Sequence, residues 1–208
     1  MVVIVIAIIV PVIIISMVCH EVAHGYAAHL FGDDTAKDLG RLSLNPMNHI
    51  HWFGSVVLPA VCLLFGLPVF AMAKPVPIDF RKLFNNKRAM FNVAIAGVVV
   101  NILLALVFGI VFRMLGGFEA NGAIAELIAL FSVFMVQVNV VLAVFNLFPI
   151  PPLDGSRLIS MWLPWENAIK LERLSLLFIL IIFMSLPYLP IIKIVMTLSS
   201  FVLGAPLQ

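Results

Sequence analysis

Residues 2–19 form an eighteen-residue stretch that is almost wholly apolar, and it runs straight into His20-Glu21-Val22-Ala23-His24. A stretch of this length, carried on to Leu30, has the dimensions of a helix that crosses the roughly 30 Å hydrocarbon layer of a bilayer. An ionised side chain in such a helix costs about 2.5–3.5 kcal/mol on insertion scales, so a polar pentapeptide placed there is a functional hypothesis by default.

The spacing sharpens that hypothesis. Residues four apart lie on one helical face, with Cβ atoms about 5–6 Å apart. Two imidazoles so placed share one Zn²⁺, each at about 2.0–2.1 Å. Glu21 is offset from that face and reaches a water at the metal rather than the metal itself. This is the H-E-x-x-H arrangement of zinc peptidases, in which Glu serves as general base. In a soluble helix the same five residues are often only a polar face; the apolar setting makes the difference here.

The remaining sequence agrees with a membrane setting. Of 208 residues, 63% are hydrophobic and 11% charged, with a mean hydropathy of +1.20. No soluble domain of this size buries that much apolar surface. The expected fold is an all-α polytopic membrane protein forming a single domain over 1–208, with about five or six hydrophobic segments. Its catalytic core would occupy about 1–160 and a C-terminal helical hairpin about 171–205. A net charge of +2 gives no reason to expect nucleic acid. Cys19 and Cys62 lie in apolar segments and read as small buried hydrophobes rather than a disulfide or metal pair. Residues 1–19 lack a basic leading region and a small-residue cleavage site, so they read as a span rather than a signal peptide.

Apolar runs mark spans at about 2–30, 89–115 and 123–148, with a Pro- and Gly-interrupted run at 52–73 and a C-terminal run that carries Pro187 and Pro190. Orientation follows the basic residues. Lys74, Arg81, Lys82, Lys87 and Arg88 face only Asp79 in one loop, which places it in the cytoplasm; Arg157, Lys170 and Arg173 place the loop after residue 148 on the same side. If 52–73 crosses fully, the histidines lie at the opposite membrane face from Asp154. If it re-enters, they lie level with it. Pro59, Gly66 and Pro68 favour the irregular, re-entrant form, which is tolerated only inside protein or beside a water-filled cavity.

Catalytic zinc usually takes three protein ligands and keeps one position open. Asp154, between a long apolar run and Gly155, is the candidate third ligand; on its own it would also serve as a helix cap. His29 leaves the ligand face and reads as structural, and His49 and His51 read as interfacial loop residues.

Together these residues resemble the site-2 protease family of intramembrane zinc metalloproteases. The resemblance rests on His20-Glu21-x-x-His24 in a membrane helix and on Asn146-Leu-Phe-Pro149-Ile-Pro151-Pro-Leu153-Asp154-Gly155. Leu44-Asn45-Pro46 with His49, Gly54-Ser55 and Ala73-Lys74-Pro75-Val76-Pro77 look like its small prokaryotic subgroup without PDZ or CBS domains. Gly97-Val-Val-Val-Asn101 matches a further element. The resemblance covers about residues 10–160. It departs at His51, where the subgroup often has an acid, and after Gly97, where a proline often follows. It implies His20, His24 and Asp154 as ligands of one Zn²⁺ and Glu21 as base. It also implies that Asn146 assists the transition state. Gly97 and Asn101 are read as substrate-binding, against an interhelical hydrogen bond for Asn101. The implied substrate is a transmembrane protein or peptide in a prokaryotic cytoplasmic membrane. Cleavage would fall on the cytoplasmic side, and the irregular stretch 44–73 would offer an edge to an extended strand.

Two rivals stand beside this reading. A membrane zinc peptidase of another family would take its third ligand from a glutamate such as Glu126 or Glu166, neither of which sits in a supporting motif. A metal transporter without enzymatic activity would spread polar residues into a path across several spans, whereas here they concentrate at one depth.

Overall fold

The computed structural model describes residues 2–50, 52–57, 61, 64, 74–175, 177–179, 181 and 190–206. Among them there is helix, turn and coil but no strand. Three helices are long and apolar enough to cross a membrane: α1 (Val2–Leu30), α4 (Lys87–Met114) and α5 (Ala123–Asn146). Short helices α2 (Thr35–Asp38) and α3 (Phe80–Leu83) lie between α1 and α4. Helices α6 (Asp154–Ser160), α7 (Trp165–Arg173) and α8 (Ile191–Leu203) follow α5. Most of the run 52–73 lies outside the described residues, as do His51, Cys62 and Pro187; its described start, Trp52–Val57, is a π-helical turn.

Local chemistry moves the helix ends slightly from the apolar boundaries. The Asn86 side chain accepts from the Ala89 N–H, so α4 begins ahead of its first apolar residue. Helix α5 ends at Asn146, before Pro149, whose ring forbids further helical turns.

The long helices form the frame of the site. Helix α4 runs antiparallel to α1: His20 meets Asn101, His24 meets Val93, and Ala28 shares a buried cluster with Ala89. Helix α5 lies beside both and runs parallel to α1, with Met135 packed on Ile8 and Val12 and the Asn139 amide donating to Ser16 Oγ at 2.8 Å. Lipid matches apolar side chains as well as protein does, so these helices are held by close packing and interhelical hydrogen bonds rather than by hydrophobic burial. Small residues supply the close packing. A Cβ on Gly109 would lie 2.6 Å from Val202 Cγ1, which is how α8 seats against α4. Arg113 then donates to the carbonyls of Phe201 and Leu203 and satisfies the end of α8. Exposed Ile102, Leu103, Leu106, Val107 and Ile110 form an apolar outer face of α4.

The antiparallel pairing brings the second half of α1, the start of α4 and the end of α5 to one end of the bundle. The loops 31–50 and 74–86 cover that end. Buried Asp33 is their hub: it accepts from the Asp79 N–H at 2.7 Å, from Thr35, and from Lys82 Nζ at 3.0 Å. Burial pushes the Asp33 carboxyl up, but the donors from Thr35, Asp79 and Lys82 outweigh it and hold it below the ordinary carboxylate range.

Candidate metal centre

His20 and His24 project from α1 toward α4, and each ring is fixed by its far nitrogen. His24 Nδ1 lies 2.7 Å from the Val93 carbonyl oxygen. A carbonyl only accepts, so Nδ1 carries the proton and Nε2 of the neutral ring presents a lone pair. His20 Nδ1 lies 3.2 Å from Asn101 Oδ1 and takes the same tautomer against that acceptor. Asn101 is fully buried, and its Nδ2 has no partner among the described residues.

Gly97 makes this approach possible. A Cβ there would lie 2.4 Å from His20 Cε1 and 2.5 Å from His24 Nε2. Helical Cβ atoms lean toward the preceding turn. The missing side chain therefore also uncovers the Val93 carbonyl, one turn back, for His24.

Asp154 arrives from the other end of the chain. The prolines at 149, 151 and 152 end α5, and Leu153, in extended conformation, opens α6. Gly155 lets this loop fold back on itself, since a Cβ there would lie 2.3 Å from the Leu147 carbonyl oxygen and 2.4 Å from that of Phe148. The N-cap of α6 is Leu153, so Asp154 is its first helical residue and not its cap. Its Oδ1 accepts from Arg157 Nη1 at 3.2 Å, while Oδ2 lies 3.1 Å from His20 Nε2 and 3.0 Å from His24 Nε2.

Three buried atoms thus converge: His20 Nε2, His24 Nε2 and Asp154 Oδ2, with the two nitrogens 3.1 Å apart. With both Nδ1 positions protonated, all three offer lone pairs to one another. Such a set is repulsive by itself and is satisfied by a cation at its centre. Ligands of a tetrahedral zinc at about 2.0–2.1 Å lie roughly 3.3 Å from each other, close to the spacing observed. Two imidazoles and one carboxylate also match the ligand set of a catalytic rather than a structural zinc. Among the described residues this is the one group of three or more His, Cys, Asp or Glu side chains arranged to hold a metal.

The names of relatives fit a zinc site. Over 154 residues the chain is 40% identical to the Bacillus subtilis (strain 168) protein named "Putative zinc metalloprotease YwhC", a match that covers 73% of this chain and 67% of YwhC. The chain belongs to this metalloprotease family. The Mycobacterium tuberculosis (strain H37Rv) protein Rip2, named in the same way, is 29% identical over 178 residues, covering 83% of the chain and 64% of Rip2. The chain thus spans about two thirds of the length of these relatives. No protein-family model matches the sequence. No solved structure matches it either.

The other singled-out residues fall into two groups. Glu21 sits beside His20, half-buried, and its Oε2 accepts from the Val76 N–H at 2.8 Å. Gly97 and Asn101 pack on the histidines as described. Asn146, by contrast, gives its amide to the Leu142 carbonyl one turn back on α5, and no contact joins it to the three converging atoms. His29 pairs with Asp34, and His49 Nε2 donates to the Ser43 carbonyl, so both are tied into the loops. Sequence reasoning missed Val93, Val76 and Arg157 as partners of the site. The first two act through backbone atoms, which leave no side-chain signature. Arg157, three residues after Asp154 on a helix, was detectable by spacing.

Proposed function

We propose that the chain is an intramembrane zinc metalloprotease of the site-2 protease type, hydrolysing peptide bonds within or near transmembrane segments of other proteins. The observation that carries this reading is the convergence of His20 Nε2, His24 Nε2 and Asp154 Oδ2 inside an apolar helix frame, one residue from Glu21. Zinc in this site supplies Lewis acidity that lowers the pKa of a water toward about 7 and polarises a peptide carbonyl.

The chain's own residues do the rest. Val93, Asn101 and Arg157 hold the three ligand atoms in register. Glu21 takes the proton of the attacking water and returns it to the leaving amine. Asn146, at the end of α5, is assigned to the transition state once its amide turns from Leu142 toward substrate. Gly97 and Asn101 are assigned to the floor of the substrate groove as well as to the histidines.

The same reading takes 1–208 as one domain with five or six hydrophobic segments and a re-entrant 52–73. Supporting re-entry, the Lys74 N–H donates to the His49 carbonyl at 2.8 Å, which brings together the residues on either side of 52–73. Lys74, Arg81, Lys82, Lys87 and Arg88 would then set the site toward the cytoplasmic face of a prokaryotic membrane.

The test is Glu21→Gln in the detergent-purified full chain, assayed on a fluorogenic single-span peptide in micelles. Zinc content at wild-type level with turnover lowered about 10²- to 10⁴-fold supports the enzyme. Wild-type protein that binds zinc and cleaves no membrane-spanning peptide overturns it.

A further inference from the structure

Residues 74–79 pass over the α1 face that carries Glu21 and Gly25 without helix, turn or strand. Pro75 and Pro77 keep the segment out of helix, because a residue before proline is driven out of the helical region, and Lys74 and Val76 both stand before one. The prolines also remove two of the three N–H groups between residues 75 and 77, leaving that of Val76.

The segment is fastened at three points. At its start, the Lys74 N–H donates to the His49 carbonyl, and Arg41 Nη2 donates to the carbonyls of Lys74 at 3.0 Å and Pro75 at 3.2 Å. At its end, the Asp79 N–H donates to buried Asp33. In its middle, the Val76 side chain is buried against Gly25, where a Cβ would lie 2.6 Å from Val76 Cγ1. The single remaining N–H then reaches Glu21 Oε2 at 2.8 Å.

We propose that the Val76 N–H is the positioning group for the Glu21 carboxylate, and that residues 74–79, clamped by Arg41 and Asp33, form its rigid mount. The inference rests on the reading of Glu21 as base. A glutamate has several rotatable bonds and loses up to about 2 kcal/mol of rotamer freedom when fixed. A charge-assisted bond to one oxygen fixes the side chain and leaves the other oxygen free for proton transfer. Val76 itself touches no reacting atom.

The test compares Val76→Pro, which deletes the N–H, with Val76→Ala, which keeps it and trims the side chain. Both are full-length, zinc-loaded and assayed on the fluorogenic single-span peptide. The expected result for Val76→Pro is a kcat about 10- to 100-fold lower, with KM and zinc content unchanged, while Val76→Ala stays within about threefold of wild type. Equal kcat in the two variants overturns the proposal, and so does a Val76→Pro enzyme faster than wild type, which would make the contact a restraint. If Val76→Pro fails to fold or to load zinc, Arg41→Ala decides. A lower kcat at constant KM, restored in Arg41→Lys, supports the mount; an unchanged kcat overturns it. Zinc-loaded wild type that does not cleave the peptide marks failure of the protease reading instead, and takes this inference with it.

Discussion

Gly97→Ala adds a single methyl group at the tightest point of the site, and the structure says where the group goes. The new Cβ would sit 2.4 Å from His20 Cε1, 2.5 Å from His20 Nδ1 and 2.5 Å from His24 Nε2. Carbon atoms in contact prefer about 3.5–4.0 Å, so roughly 1 Å must be recovered by turning the rings or separating α1 from α4. Either movement carries the Nε2 atoms well past the roughly ±0.2 Å within which metal-ligand distances hold. The overpacking costs about 1–3 kcal/mol, and alanine returns about 0.8–1.0 kcal/mol as the better helix former. Global stability should therefore fall by no more than about 2 kcal/mol. Zinc affinity should fall about 100-fold, at the upper end of what loss of a ligand's supporting contacts produces. Chelator competition on purified protein reads the affinity, and thermal unfolding in the same detergent reads the stability. A Gly97→Ala protein with wild-type zinc affinity would refute the argument that this glycine exists to admit the histidines.

Asn101→Ala removes the acceptor that fixes His20 and should weaken zinc binding about 10- to 100-fold, with Asn101→Asp, which keeps an acceptor at Oδ1, closer to wild type in the same competition assay. Asp33→Asn should cost about 2 kcal/mol at neutral pH by weakening the bonds to Lys82 and Asp79. The Asp33 carboxyl is held below its unfolded value of about 3.9. Its contribution is therefore fully present above about pH 4 and fades as pH falls through the folded value, so melting temperatures of wild type and variant should differ at pH 7 and draw together in acid.

The parts of the fold read from sequence are those written in single residues or regular repeats. An eighteen-residue apolar run, carried on through the His20–His24 pentapeptide, placed α1 over Val2–Leu30. Helix α4 began earlier than hydropathy placed it because Asn86 caps it, a signal of hydrogen bonding rather than of apolar content. His20, His24 and Asp154 were legible as a candidate ligand set because each is a side chain with metal chemistry, and the structure brings them together. Their supports were not. His20 and Asn101 are 81 residues apart, and Glu21 and the Val76 N–H are 55 apart. Val93 contributes a carbonyl that any residue would supply. Asn146 shows the opposite case: its motif marks it for the site, while its amide is bound to its own helix. Gly97 reads from sequence as part of a substrate-binding element; only the third dimension reveals that it packs on the imidazoles.

The ligand set also joins positions that lie far apart along the polypeptide. His24 and Asp154 are separated by 130 residues, and a shared ion would tie them as a covalent staple does. For a staple closing a loop of that size in a random chain, loop-closure entropy amounts to about 5 kcal/mol. Membrane helices that stay formed when tertiary packing is lost make the real figure smaller, since less freedom is there to remove. Even so, α1 and α6 would not drift apart while an ion is held between His20, His24 and Asp154. Chelation should therefore do more than silence the chemistry: it should release the end of the bundle where loops 31–50 and 74–86 gather, making those loops the first sites of proteolytic nicking in metal-stripped protein.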